Sequence, residues 1–240
     1  MRVGNMSYIS RAAAVVLGCA GWLTWRFPAS LKQCEPEDFI FFCAHKEGAP
    51  YRTFSNWYDE SELKNGGHYG LGGQFFWCAE QEFIAAKMLH REAKDGFTKV
   101  MEVKPSADEE ECKKRAALLK KLGREAVPNF DLEGWTAASP DAMLLAVRHE
   151  FKGNPELAAL LLSTGDKIIV EAAHYDKIWG IGLDTWDGKN RGALRRVPCG
   201  KIEWAVPPEQ WPKNGNGLGK TLMQVRCELQ TEALLELNCF

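Results

Sequence analysis

No CxxC pair occurs among the eight cysteines Cys19, Cys34, Cys43, Cys78, Cys112, Cys199, Cys227 and Cys239. No histidine stands at zinc-ligand spacing from two of them, so a zinc site or a disulfide framework is disfavoured and the thiols read as small hydrophobes. The five histidines form no HExxH or HxH pattern, and no serine sits in a GxSxG. That disfavours metalloprotease-type and serine-hydrolase chemistry. No apolar run reaches the ~20 residues that a membrane-spanning helix requires. Neither sign of charge prevails: 30 Lys plus Arg stand against 32 Asp plus Glu, a net charge of −2. A protein that grips nucleic acid without regard to sequence needs an excess of unpaired cations, which excludes broad nucleic-acid binding but leaves room for a local phosphate pocket. Internal repeats and low-complexity tracts are absent.

What is present is a 240-residue chain rich enough in apolar residues to close one sizeable core, with nine tryptophans. Tryptophan serves as core and as a flat platform for ligands. Residues 1–37 form an N-terminal extension in which Ala12 to Trp25 is apolar and Arg2, Arg11 and Arg26 flank it. This is a candidate targeting segment, or a short interfacial anchor giving weak membrane association. Residues 38–240 are expected to form one domain, with a cytoplasmic location for that core.

The domain reads as α+β, predominantly helical with a few short strands. Asp38 to Cys43 and Ile168 to Val170 have the composition of buried strands. A helix is expected from Ala79 to Arg91. Ser106 to Glu109 forms a capping box for another, which Gly123 is placed to end. Ser139-Pro140 and Asn154-Pro155 each start a further helix, and a last one runs from about Leu218. Residues 184–217, rich in Gly, Pro and Trp, read as a long loop.

The helix after Trp77 carries the chemistry. At about 100° per residue, apolar side chains point in every direction, so the helix is expected to be buried all round. Glu80 and Lys87 fall about 20° apart on one stripe, two turns along. A carboxylate and an amine on a buried helix either form a structural ion pair or serve as groups with shifted pKa values in a site. Glu82 lies on another face and is expected at the rim or in solvent. A second cluster, Val170 to Gly182, opens a strand into a turn with Asp176, Trp179, Gly180 and Gly182. It suits either a ribose and base contact or a tryptophan plugged beside a tight turn. A third, Asn214 to Lys220, is a glycine-rich approach to a helix, either a plain helix start or an anion cradle.

Taken in order, the chain resembles the NADAR family, the YbiA-like N-glycosidases. The residues that carry this are Phe54-Ser55-Asn56-Trp57-Tyr58, Ala79-Glu80-Gln81-Glu82-Phe83 through Lys87, Leu122-Gly123-Arg124, Trp135, Phe151 with Asn154 to Leu157, Leu161 to Gly165, Val170-Glu171, Asp176 to Gly182, and Asn216 to Arg226. The match spans about residues 38–230. The family helix usually reads Ser-Glu-(Gln/His)-Tyr-Phe, so Ala79 and Glu82 are departures, and residues 184–217 look longer than the usual loop.

The resemblance implies a YbiA-like single domain, hydrolysis of an N-glycosidic bond to ribose, and no metal or cofactor. It implies as substrate a ribosylamino-pyrimidine phosphate of riboflavin biosynthesis, or ADP-ribose on guanine in nucleic acid. Glu80, Lys87 and Asp176 are then the candidate catalytic residues. Asn56, Arg124, Trp135, Trp179, Gly180, Gly182, Asn216 and Lys220 are the candidate binding residues. The alternative is a module that binds ADP-ribose or NAD without catalysis.

Overall fold

The structure is a computed structural model and describes residues 34–43, 48–105, 109–124, 130–189 and 191–237. The apolar N-terminal run and the proposed capping box at Ser106 lie outside these residues, apart from Glu109 itself. The architecture is α+β and mostly helical, as the sequence implied.

Strand β1 (Phe39–Phe42) pairs in parallel with β4 (Ile168–Glu171), Phe39 beside Ile168 and Phe42 beside Glu171. Strand alternation gives this two-stranded sheet two buried faces. Ile40, Phe42 and Ile169 face the main core with Phe54, Phe83 and Phe151, whereas Phe39 and Val170 face a second core with Ile181, Leu194 and Trp211. Between β1 and β4 in sequence come β2 (His68–Tyr69) and β3 (Phe75–Phe76), which form a short antiparallel pair. Next are helices α1 (Ala79–His90), α2 (Lys94–Glu102), α3 (Glu109–Arg124), α4 (Leu132–Gly153) and α5 (Pro155–Ser163). Helix α1 is packed against α4 on one side and against α2 and α3 on another. It is buried along most of its length, but its last turn opens to solvent, with Leu89 at 48% exposure.

Two expectations fail. Ser139-Pro140 does not start a helix; α4 begins at Leu132, where Asp131 accepts from the Gly134 N–H at 2.8 Å, and runs through Pro140. Proline has no N–H for the Thr136 carbonyl four residues back. The Ser139 hydroxyl reaches that carbonyl instead, at 3.4 Å. Residues 184–217 are also not a structureless loop. They hold β5 (Asp184–Trp186), β6 (Gly192–Arg196) and β7 (Ile202–Trp204) in one three-stranded sheet. Burial of aromatics supplies the reason: Phe39 meets Trp204 edge-on at 4.9 Å between ring centroids and Trp211 at 5.9 Å. Gly123 falls one residue inside α3, within the scatter of helix ends. The final helix, α6 (Gly217–Leu237), lies on β4. Gly219 permits that approach, since a Cβ there would stand 2.2 Å from the Ile169 carbonyl oxygen.

Candidate active site

The first turn of α1 is clasped by residues 54–58. The Glu80 N–H donates to the Asn56 carbonyl at 2.8 Å, and the Asn56 side-chain amide donates to Glu80 Oε2 at 2.5 Å. Glu80 therefore has its backbone and carboxyl fixed by one residue, at a helix N-terminus whose dipole favours negative charge. Burial nonetheless pushes its pKa up to about 8. The positive charge of Lys120 opposes that shift, Glu171 and Asp176 add to it, and Lys87 opposes it more weakly. A carboxyl this far from its usual range is what acid–base or electrostatic catalysis at neutral pH requires.

Lys87 makes no direct ion pair with Glu80 among the described residues. Its ammonium donates to the Gly123 carbonyl at 2.7 Å, in the last turn of α3. The Phe130 and Trp135 rings flank it at 5.6 and 5.9 Å from their centroids. Burial lowers its pKa, Arg91 and Arg124 lower it further, and Glu80 works the other way. The amine thus joins the Glu80 site through its field, and Arg124 lies within reach of the same charge. Trp135 is almost wholly buried at 8%; Phe83 stands 5.3 Å from it and 5.4 Å from Trp179. These rings form one ridge, with Lys87 beside its Trp135 end and Trp179 the more exposed end.

After β4 the chain turns at Asp176. Asp176 Oδ1 accepts from the N–H groups of Ile178 at 2.8 Å and Trp179 at 2.9 Å, which holds the turn near Glu80. The Gly182 N–H closes it on the Asp176 carbonyl, with Gly182 at φ +69°. The glycine-rich approach to α6 has its N–H groups occupied. Asn216, Gly217 and Leu218 donate to the carbonyls of Gly180, Ile178 and Trp179 at 2.9, 2.9 and 3.0 Å. An anion cradle at those three groups is excluded, because a hydrogen-bonded N–H has none left to offer. Asn216 is fully buried; its side chain accepts from the Glu171 N–H at 3.0 Å and donates to the Ile169 carbonyl at 2.9 Å. It locks α6 onto β4, and Lys220 follows one turn later, half-buried, with its pKa lowered by burial.

Glu82 corrects the sequence reading most sharply. It is 2% exposed and accepts from the Leu71 N–H at 2.8 Å. Its two oxygens also lie 3.0 Å from His68 Nε2 and 2.8 Å from His149 Nδ1. His68 Nδ1 in turn meets Glu60 Oε1 at 2.6 Å, and Asn154 donates to Glu60 Oε2 at 2.6 Å. Burial works against charge on His68, but its bonds to Glu60 and Glu82 outweigh it and raise its pKa to about 9. The helical wheel gave no sign of this, because both histidines come from other elements. Among the described residues no group of three or more His, Cys, Asp or Glu could hold a metal ion.

Two residues at the site escaped the sequence reading. Lys120, which the sequence reading did not single out, lies over the Trp57 ring at 4.6 Å and is the strongest positive influence on Glu80. Glu171, quoted only as part of a motif, has a buried carboxyl oxygen with no hydrogen-bond partner. Its place at the end of a strand, just before the Asp176 turn, was the available signal.

Comparison with known proteins gives the family and the fold. The NADAR domain model matches residues 41–230. The chain is 34% identical over 201 residues to N-glycosidase R617 of Acanthamoeba polyphaga mimivirus, covering 82% of this chain and 99% of that protein. It is 30% identical over 165 residues to Protein irg-1 of Caenorhabditis elegans, 68% of this chain and 65% of the other. It is 29% identical over 114 residues to the chloroplastic riboflavin biosynthesis protein PYRR of Zea mays, 47% of this chain and 18% of that one. The NMR structure of the E. coli protein YbiA superposes with a TM-score of 0.54 at 22% identity, over 82% of this chain and 87% of the other, which establishes likeness of fold. By its family model and by near-full-length likeness to R617, the chain belongs to the NADAR domain family.

Proposed function

We propose that this protein is an N-glycosidase that hydrolyses the bond between ribose C1 and the nitrogen of a base or amine. The observation that carries the reading is Glu80: a half-buried carboxyl fixed at a helix start by Asn56, in the field of two lysines, with its pKa raised to about 8. Likeness to the N-glycosidase R617 supports the reaction class. N-glycoside cleavage builds positive charge on the sugar ring, and a preorganised carboxylate stabilises that charge more strongly in a desolvated site than in water. Glu80 takes that role in its ionised form, which a pKa of about 8 makes the minor form at neutral pH and the major one above about 8; Lys120 and Lys87 favour it against burial, and the Asn56 amide donates to it.

Lys87 has two roles open to it. As an ammonium it helps hold Glu80 charged. As the free amine that burial favours, it attacks the aldehyde of an opened ribose, forming a C–N bond and losing water to give a Schiff base. Asp176 orders the turn that faces Glu80 and contacts ribose or water. Arg124 and Lys220 bind phosphate, and Trp179 with Trp135 behind it forms the wall for the base. The substrate is either a ribosylamino-pyrimidine phosphate, which the riboflavin-biosynthesis name of PYRR favours, or ADP-ribose joined to guanine.

Both substrates are to be offered to the purified protein in parallel, with base release read by mass spectrometry. Base from one of them is expected. Binding of ADP-ribose in calorimetry with no base released from either would replace this reading by the binding-module one. Borohydride added during turnover is expected to leave a ribose adduct on Lys87. Repeated failure to trap it would leave the amine its electrostatic role alone.

A further inference from the structure

Glu171 ends β4 with its backbone held from both sides: its N–H donates to Asn216 Oδ1 at 3.0 Å, and its carbonyl accepts from the Ile181 N–H at 3.0 Å. Side chains alternate along a strand, so Glu171 shares the face of Ile169, which packs in the main core with Phe42, Phe54 and Phe83. That is the side on which residues 54–58 and the first turn of α1 lie. The C-terminal ends of adjacent parallel strands are where α/β folds place their chemistry, and β1 and β4 end here together. Glu171 Oε2 is closed off from solvent and has no hydrogen-bond partner. A buried carboxyl with an unmatched oxygen calls for an explanation in function or in an absent ligand.

The groups around it sharpen the point. The charges that act on Glu80 include Glu171 and Asp176, and those that Glu171 bears on include Cys43 and Tyr175. Burial and the like charge of Asp176 raise the Glu171 pKa to about 8, with no cation opposing them. Glu80 differs in having the Asn56 amide, Lys120 and Lys87 to hold a negative charge. Both carboxyls are raised to about 8, and the difference lies in their neighbours: where the pair carries a single negative charge, the Asn56 amide and the lysines place it on Glu80 and the proton on Glu171.

We propose that Glu171 is a second catalytic residue, the acid that protonates the departing base. This rests on the N-glycosidase reading. As the C1–N bond breaks, its electron pair moves onto the base nitrogen, which takes the proton of the Glu171 carboxyl. The ribosyl cation forms against ionised Glu80. Water then adds at C1 and returns its proton to Glu171, which restores the enzyme.

The test compares two leaving groups. One substrate is whichever N-riboside the wild-type protein turns over. The other is a 4-nitrophenyl riboside 5-phosphate, whose phenolate leaves without a proton. In Glu171→Gln the N-riboside rate is expected to fall about 10²- to 10³-fold while the nitrophenyl rate stays within a few-fold. The fall of kcat/KM at alkaline pH is expected to vanish with it. Glu80→Gln is expected to lose both reactions. Glu171→Asp retains an acid and is expected to keep the alkaline limb, which serves as the second measurement if the glutamine variant does not fold. Retention of the N-riboside rate in folded Glu171→Gln would overturn the proposal, as would equal loss on both substrates. A wild-type protein that cleaves no N-riboside overturns the underlying reading instead, so the two failures are distinct.

Discussion

At the scale of single residues, the chain spends its least favourable burial in two places with different outcomes. Around His68 both ring nitrogens meet a carboxylate, Glu60 on one and Glu82 on the other, with His149 beyond, while the nearby buried Glu150 keeps an unmatched oxygen and is pushed toward its neutral form by burial and by the charges of Glu60 and Glu82. His68→Ala removes the centre and leaves two nearly inaccessible carboxylates facing each other. A loss of about 3–5 kcal/mol is expected in urea unfolding, the cost of breaking a buried pair by deleting one member. The pH dependence follows from direction. The His68 pKa rises from 6.5 to about 9 on folding, so its contribution is complete below about 6.5 and is lost as pH climbs through about 9. Stability of the wild type is expected to decline across that interval, and His68→Asn is expected to flatten the decline. Around Glu80 and Glu171 no histidine among the described residues bridges the carboxyls, and the proposed chemistry rests on them.

Glu80 and Lys87 were legible in the sequence because both lie on one helix, where spacing fixes direction. Glu82 was not, since its three partners come from residues 68, 71 and 149, and burial of a polar side chain by distant elements leaves no periodic trace. The same reason hid Lys120, which belongs to another helix and meets Glu80 only by packing.

At the scale of elements, α4 shows how tertiary context overrides a local signal. Its proline marks a helix start by every short-range rule, yet the capped turn at Asp131 and the burial of Trp135 extend the helix by two turns before it. Pro140→Ala restores an N–H for the Thr136 carbonyl and removes the ring. A gain of about 1–3 kcal/mol in stability is expected from denaturant unfolding, with catalytic rate unchanged, because Pro140 touches no group of the site. A loss of stability would mean that the packing of the proline ring outweighs the missing hydrogen bond. Strands β5 to β7 teach the complementary lesson. Their short pieces lack alternation, and only Trp204 and Trp211 closing on Phe39 make them a sheet. Three of the nine tryptophans, Trp135, Trp204 and Trp211, thus turn out to serve the packing first.

At the scale of the whole molecule, the α+β class, the two buried strands, the order of motifs and the family were readable from 240 letters. The meeting of α1 with the β4 end and the Asp176 turn that follows it was not, because the mostly helical chain from His90 to Ile168 separates α1 from the other two. That meeting brings the Glu80, Glu171 and Asp176 carboxyls into one another's field, with Lys120 and Lys87 acting on Glu80. The central claim is that the Glu80 carboxylate stabilises the ribosyl cation. Its most direct measurement is the rate of base release by Glu80→Gln on the substrate that the wild type cleaves, with the folded state verified by its melting curve. A folded variant slowed by at least about 10²- to 10³-fold is expected. A folded variant that releases base at the wild-type rate would contradict the account.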